Sequence, residues 1–511
     1  MARKSYSLED LGRLYGKDQK ALDFNEDNIR RLFGHEAAED ESIDRLKEYY
    51  LKTDIYSSLK SNVPLFVVVG HKGVGKSALL KVLCSEDIDN GYIPITLQPN
   101  DIFAVDISGM NFLQKIETWK NGIAQIIFHK LVLSVNDNIN QKVKNQKLSD
   151  WIDRFGTLAF TMLGKKLSAL QEEHIQLSVG QFTSLFKNAL FEEKRINIYI
   201  DDLDRGWENT NEDVKNLSAM INAIRDLSRE TTNLKFRIAL RSDVYYAVRT
   251  SDETTDKIDG SVLWQSWTNH EILIMLFKRI ETFFGRDIDE AYLLGQQQKN
   301  IGSLLSTVFD ERFRGTGHWE NAPMYRVLMS LIRKRPRDLV KLCTLAARKA
   351  KLRGHKLILT ADLAEVFNNY SNDRLTDTST EYKSELPNLH ELLLKMKPTT
   401  KEKQLDSPSL FPRDSLLKKL DDILSMSHFS FKDGKAVNSQ TLAAFLYKIN
   451  FITARKDLEG GTIQRIYYDE NRYIYNEFTD FGYAYEIHPA YRWALQPDSI
   501  QCLFSQIQLS D

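Results

Sequence analysis

Residues Leu65–Leu80 read LFVVVGHKGVGKSALL. The apolar run Phe66–Val69 predicts a buried strand, because three β-branched side chains in succession favour extended backbone. The run breaks into Gly70-His71-Lys72-Gly73-Val74-Gly75-Lys76-Ser77, and apolar residues resume at Ala78-Leu79-Leu80. Strand, glycine-rich loop and helix in this order form the G-x-x-x-x-G-K-[ST] phosphate cradle. Gly70, Gly73 and Gly75 permit dihedrals that side chains would block, so successive backbone N–H groups can converge on phosphate oxygens. A helix starting near Lys76 adds its positive end to the same place. Lys76 is expected to reach the β- and γ-phosphates, and the Ser77 hydroxyl to ligate Mg²⁺. The stretch predicts a nucleoside triphosphate site lined by Gly70 through Ala78, with His71, Lys72 and Val74 supplying further backbone groups.

Composition narrows the setting. The 511 residues give room for roughly two to four domains with real cores. A net charge of −1 means that the whole molecule is no electrostatic magnet for nucleic acid, so any such surface must be local. Cys84, Cys343 and Cys502 are far apart and form no C-x-x-C pair, and the histidines show no ligand spacing. That pattern fits a reducing compartment and offers no metal cluster. No apolar run approaches the ~18 residues that span a bilayer, and MARKSYSLEDLG lacks a signal-peptide apolar core. The expectation is a cytoplasmic protein with no membrane partner.

Working outward, residues 1–60 read as an N-terminal helical segment, with Glu41–Leu59 at helical intervals. Residues 61–265 read as an α/β core. Within it Gly91–Leu97, Ile196–Ile200 and Phe236–Leu240 are further strands, and about 107–191 is a helical insertion. Strands alternating with helices imply a parallel sheet, and ligands bind at the carboxyl ends of such strands. Residues 266–395 read as a helical lid, in which the helical pattern runs to about Tyr370 and the polar stretch Ser371–Thr380 follows it, with a Lys/Pro/Thr-rich linker at Lys395–Ser409. Residues 410–511 read as a winged-helix-like domain: helices Asp414–Leu424 and Ser439–Ile449, then strands Phe451–Arg455 and Ile463–Tyr468 around a Gly460-Gly461 turn. The aromatics of Tyr467–Trp493 are assigned to its core.

Phosphoryl transfer needs Mg²⁺ held from a second side and an oriented water. Strand Ile196–Ile200 ends in Asp201-Asp202-Leu203-Asp204-Arg205. Asp201 suits the metal and Asp202 the water, with Asp204 as a substitute. Arg241 ends the next strand, where it could meet the γ-phosphate or pair with Asp243. Arg205, Arg225, Arg229 and Arg249 are candidates for a finger into a neighbouring subunit, and none is singled out locally. Pro336 is favoured at a helix start, which could aim Arg337 at the nucleotide. The rest of the basic stretch Arg333–Lys356 reads as a solvated face. A guanine-specific N-K-x-D is absent, and in Leu177-Ser178-Val179-Gly180-Gln181 Val179 replaces a glycine that an ABC-transporter signature needs for phosphate approach.

Taken together, GHKGVGKSALL, IYIDDLDRGWE, ALRSDVYYAVR, the Trp264–Trp267 pair and RPRDLVKL with FNNYSNDRL resemble bacterial P-loop ATPases related to the STAND and KAP NTPases. The DDLDR box is especially similar to KAP. The resemblance spans roughly Lys47–Glu391 and implies an AAA-like core, a helical lid and a winged helix. It implies ATP and Mg²⁺ as ligands, with Lys76 and Ser77 as the phosphate lysine and metal ligand. It further implies Asp201 and Asp202 as the acidic box, Arg241 as a strand-end sensor and Arg337 as the lid arginine. Asp202 stands where many relatives carry glutamate, which implies slow hydrolysis. Relatives of this kind occur in anti-phage defence operons, so the resemblance implies a homo-oligomeric ATPase switch acting with a protein effector encoded nearby. The alternative is a DNA-acting AAA-like ATPase whose winged helix reads duplex. It is disfavoured because Lys418, Lys419 and Lys448 are offset by Asp421 and Asp422.

Overall fold

A computed structural model describes Leu11 and residues 22–510, except for 91, 103–104, 141–153, 156, 158–177, 187–194, 232, 252–257, 459–462, 475–481 and 498–499. Contacts divide the chain into two compact units. The sheet unit comprises Lys52–His71 and Lys76–Gln265; the helical unit comprises Met1–Leu51, Lys72–Gly75 and Ser266–Asp511.

The sheet unit is built on five parallel strands: β1 (Leu65–Gly70), β2 (Ile93–Leu97), β3 (Ile196–Ile200), β4 (Leu234–Arg241) and β5 (Val262–Trp264). Their spatial order is β2-β3-β4-β1-β5. β1 and β3 are buried along their whole length, as continuous apolar strands covered on both faces must be. Helices α1 (Lys76–Asp89), α2 (Phe112–Asn140) and α3 (Asn211–Glu230) supply that cover. Trp119, Ile123 and Phe128 of α2 join Leu217, Ile221 and Ile224 of α3 in one core with Val67, Ile198 and Ile238. A capping box between Thr210 and Asp213 starts α3. This is the α/β fold of a P-loop NTPase. Because β4 lies between β1 and β3, the carboxyl end of β4 stands beside that of β1, with Arg241 level with Gly70.

Of the helical insertion expected at 107–191, the described parts are α2 and the helix Val179–Phe186; residues 141–153, 156, 158–177 and 187–191 lie outside the described residues. Leu177 and the Gly460-Gly461 turn also lie outside them. The stretch expected as one helical segment, Glu41–Leu59, forms two helices, Ile43–Tyr49 and Asp54–Leu59, separated by extended backbone at Tyr50 and Thr53. The unit boundary falls between them, after Leu51.

In the helical unit, α4 (Asn269–Phe283), α5 (Pro336–Leu352) and α6 (Thr360–Glu381) carry the core with Ile29, Leu32 and Phe33 of the helix Glu26–Phe33. A short ribbon pairs β6 (Arg312–Phe313) with β7 (Ala322–Pro323). Farther along, β8 (Leu410–Pro412), β9 (Ile452–Asp457), β10 (Ile463–Ile466) and β11 (Ala484–Ile487) form an antiparallel sheet in the order β10-β9-β11-β8. Helices Arg413–Met426 and Ser439–Lys448 lie between β8 and β9 in the chain. Tyr467, Tyr468, Tyr485, Tyr491 and Trp493 are buried.

Two expectations are corrected. Ser371–Thr380 is not a polar stretch after the last helix but the second half of α6, which runs to Glu381. Its polar side chains Ser371, Arg374 and Thr378 are buried and find partners inside the unit. Nor is the start of Arg333–Lys356 a solvated face. Arg333 and Arg335 are buried, Arg333 bridging Asp338 at 2.8 Å and Arg335 bridging Glu381 at 3.0 Å. Among the described residues no helix is long and apolar enough to cross a membrane.

Candidate functional site

At the carboxyl end of β1 the chain leaves the sheet unit at His71 and re-enters it at Lys76. Gly73 and Gly75 have φ of +83° and +96°, which a side chain would strain. Lys76 opens α1, and its ammonium turns back into the loop, donating to Gly70 O at 2.8 Å and His71 O at 3.1 Å. His71 is buried, with Nδ1 3.2 Å from the Ser242 hydroxyl at the start of the helix that follows β4. Ser77 and Ala78 continue the first turn of α1 and are half-buried.

Asp201 follows the last residue of β3 and meets this first turn. The Ser77 hydroxyl and the Lys76 ammonium both lie close enough to its carboxylate to favour its charge. Burial nevertheless dominates and raises the Asp201 carboxyl above its ordinary value, with the Asp202 carboxylate adding to the rise. The two residues expected to hold Mg²⁺, Ser77 and Asp201, are therefore brought together, and Lys76 is near them. Hydroxyl and carboxylate oxygens suit a hard cation such as Mg²⁺. Among the described residues no group of three or more His, Cys, Asp and Glu could hold a metal, so remaining ligands would be phosphate oxygens and water.

Asp202 is exposed and has φ of +61°, a conformation that few side chains other than Asn and Asp adopt. Its N–H donates to Asp201 Oδ1 at 2.9 Å, which fixes the turn and leaves its own carboxylate toward solvent. Strain of this kind collects where a side chain must be aimed.

Arg241 ends β4 next to Gly70, and its guanidinium is held by acids. Nε and Nη2 donate to the two Asp243 carboxylate oxygens at 3.1 and 2.6 Å, and Asp204 lies 3.3 Å from Nε. Of the two roles open to Arg241, the structure shows the pairing with Asp243. Burial raises the Asp204 carboxyl, with Arg241 and Lys76 opposing the rise. Asp204 and Asp243 thus tether an arginine at the strand end beside the loop.

The loop tip, Lys72–Gly75, belongs to the helical unit, and there each of its first three residues is gripped. Lys72 N–H donates to Glu381 Oε1 at 3.2 Å, at the end of α6. Gly73 O accepts from Arg337 N–H at 3.4 Å, in the first turn of α5. Val74 O accepts from the Trp267 indole N–H at 2.7 Å, just before α4. Arg337 follows Pro336 at the helix start and packs over Gly73, while its Nε donates to Glu36 O at 2.9 Å. Sequence reasoning offered Asp243 as a partner of Arg241 but missed Ser242 and Glu381. Trp267 carried a signal as half of the Trp264–Trp267 pair, but nothing local tied it to the loop.

Residues 292–379 match a family model described as the FunZ-associated C-terminal helical domain. A transposon gamma-delta protein of 80.3 kDa from Escherichia coli (strain K12) is 22% identical over 385 residues, covering 70% of this chain. The chain spans 52% of that relative's length, about half. Among solved structures, the chain is similar to the ORC2 protein of Aeropyrum pernix in its ADPNP-ADP complexes, with TM-score 0.38, 11% identity, and 90% and 92% of the two chains covered. It is also similar to C. elegans PCH-2, with TM-score 0.26, 13% identity, and 71% and 73% covered. With scores this low, the strand order and the glycine loop of the chain itself are what define a P-loop NTPase fold.

Proposed function

We propose that the protein binds and hydrolyses ATP with Mg²⁺ and acts as an oligomerising switch that controls a partner effector. The observation that carries the enzymatic part is the approach of Ser77 and Lys76 to the Asp201 carboxylate, close enough for both to favour its charged form, which brings loop and acidic box together. In this reading Gly70, His71, Lys72, Gly73, Val74, Gly75 and Ala78 surround the phosphates with backbone N–H groups. Lys76 neutralises the β- and γ-oxygens, Ser77 and Asp201 hold the metal, and Asp202 orients the attacking water. Arg241 and Arg337 are assigned to the γ-phosphate, Arg241 after exchanging an acid for it. Exposed Asp202, shorter than a glutamate, gives slow turnover and a long-lived ATP state. The effector and the phage-defence setting rest on the family resemblance alone.

Of the three basic candidates for the DNA-acting alternative, Lys418 is exposed and the other two are engaged inside the protein. Lys419 bridges Glu402 and Lys448 bridges Glu385, each at 2.6 Å and each buried. Spent on internal acids, these lysines have no charge left for DNA phosphates.

Fluorescent mant-ATP binding and phosphate release test the enzymatic part. Wild type binds and turns over slowly, Lys76→Ala loses binding, and Asp202→Ala binds but loses turnover by about 10²-fold or more. ATPγS-dependent growth in particle size tests the switch. A wild-type protein that ignores mant-ATP at millimolar concentration removes the reading.

A further inference from the structure

We propose that Glu381 is a positioning residue for the phosphate loop: its carboxylate, backed by Arg335, fixes the Lys72 peptide and through it the loop tip. This rests on the nucleotide reading above and adds a residue to it.

Glu381 is the last residue of α6, a place where a carboxylate opposes the helix dipole. It is also 7% exposed, so it carries a desolvation cost in addition. Stability alone selects neither property. Among the described residues, the side chains that hydrogen-bond the tip's backbone groups are Trp267 and Glu381, of which Glu381 is charged and takes an N–H rather than a carbonyl. One carboxylate oxygen accepts from Lys72 N–H at 3.2 Å while the other accepts from Arg335 Nη1 at 3.0 Å. Arg335 is itself 2% exposed, and its Nε and Nη2 have no hydrogen-bond partner among the described residues. Among those residues the guanidinium thus hydrogen-bonds Glu381, its strongest opposite-charge partner.

The pairing explains why an acid is tolerated next to a loop meant for polyphosphate. A lone carboxylate there would repel the ligand, whereas the Glu381–Arg335 pair is neutral overall and leaves the positive field of the loop N–H groups intact. Arg335 also precedes Pro336 and Arg337 at the start of α5, so one short segment supplies both the counter-charge for Glu381 and the N–H on Gly73. The carboxylate sets the Lys72 peptide plane, Gly73 turns at φ +83°, and the chain then runs through Val74 and Gly75 to Lys76. Loss of the Lys72 bond frees the peptide from which the rest of the cradle is laid out.

Backbone hydrogen exchange of the full chain without nucleotide tests the contact, and mant-ATP and mant-ADP binding tests its consequence. Glu381→Ala should speed exchange at Lys72 about tenfold and weaken mant-ATP binding by about tenfold, the loss of one charge-assisted bond. Glu381→Gln keeps an oxygen acceptor and should restore both to within about threefold. Should the alanine variant fail to fold, Glu381→Asp withdraws the carboxylate by one methylene while keeping its charge for Arg335, and the same exchange measurement decides. A folded variant in which Lys72 exchanges as in wild type overturns the proposal. So does faster exchange with mant-ATP affinity unchanged, because the contact then serves α6 and not the loop. If wild type ignores mant-ATP yet Glu381→Ala still releases Lys72, the positioning stands and the nucleotide reading falls.

Discussion

Asp201 sits in a conflict of forces. Burial disfavours its charge, and the Ser77 hydroxyl and Lys76 ammonium favour it without fully compensating. The carboxyl therefore holds its proton more tightly in the folded protein than at its ordinary value of 3.8. A raised carboxyl makes the metal-free fold gain stability as pH falls through the raised value, and charge at neutral pH is a burden. Asp201→Asn should thus raise the melting temperature at pH 7 without Mg²⁺ by about 2 °C, and the advantage should vanish near pH 4. The same change should abolish any stabilisation by Mg²⁺ and ATP. Calorimetry at the two pH values, with and without ligand, reads both effects; a destabilised apo variant would show that Ser77 and Lys76 outweigh burial. Gly73 makes the companion case. A Cβ there would strain φ of +83° and approach Arg337 Cβ to 3.1 Å. Gly73→Ala should cost about 1–2 kcal/mol in denaturant unfolding, whereas Gly75→Ala meets nothing within 4 Å and should show the backbone strain alone.

Among the elements, α5 and α6 share an apolar core and are joined by buried charge as well. Asp338 accepts from Arg333 Nε at 2.8 Å and from Arg374 Nη1 at 2.6 Å, and all three side chains are buried. Arg333 continues to the hydroxyls of Thr378 and Tyr491 at 2.7 and 2.9 Å. Removing this carboxylate strands the Arg333 guanidinium and leaves Arg374 only the exposed Asp377 at 2.8 Å, so Asp338→Asn should destabilise the helical unit by about 3 kcal/mol in denaturant unfolding. A loss below 1 kcal/mol would mean that water or Asp377 replaces it. This network also shows what sequence could and could not reveal. β1, β3 and β4 were legible because apolar β-branched runs end in residues whose chemistry recurs at strand ends. The loop was legible because its glycines and lysine are contiguous. β5 has three residues, too few for a pattern, and Ser371–Thr380 looked like a loop because its partners lie elsewhere. Arg374 meets Asp338, and Thr378 meets Tyr491 more than a hundred positions on. Glu381 was invisible for the same reason: a helix-end glutamate gives no sign that a backbone N–H some three hundred residues earlier will find it.

At the scale of the whole molecule, the two units carry buried carboxylates of opposite character. In the sheet unit Asp87, Asp201 and Asp204 are all raised, chiefly by burial. In the helical unit burial is overcome. Arg333 and Arg374 hold Asp338 far below its ordinary value, and Arg465 and Arg492 hold Glu486 below its own. The consequences for pH have opposite signs. Raised groups take up protons on folding, so the sheet unit gains from them as pH falls from neutrality toward about 4. Lowered groups contribute stability above the unfolded value, and that contribution is lost as pH falls below it. The helical unit should therefore lose stability gradually below about pH 6.5, where burial holds His488 neutral in the fold while the unfolded chain takes up its proton, and steeply below about pH 4. Glu86 tempers the contrast in the sheet unit: Lys52, Lys60 and Tyr56 outweigh its burial and draw it down to about 2. It lies near the surface, so its share is about 1 kcal/mol, lost between about pH 4.5 and 2. Hydrogen exchange resolved by peptide gives each unit its own reading, which a single melting temperature for a two-unit chain cannot. Between pH 7 and 4.5, after correction for intrinsic exchange, protection in β3 and β4 should rise or hold. Below pH 4, protection in α5 and α6 should collapse first, and Asp338→Asn should remove most of that acid sensitivity. If the sheet unit loses protection first, its raised aspartates are not the groups that govern its acid limit, and Glu86 with its lysines becomes the place to look.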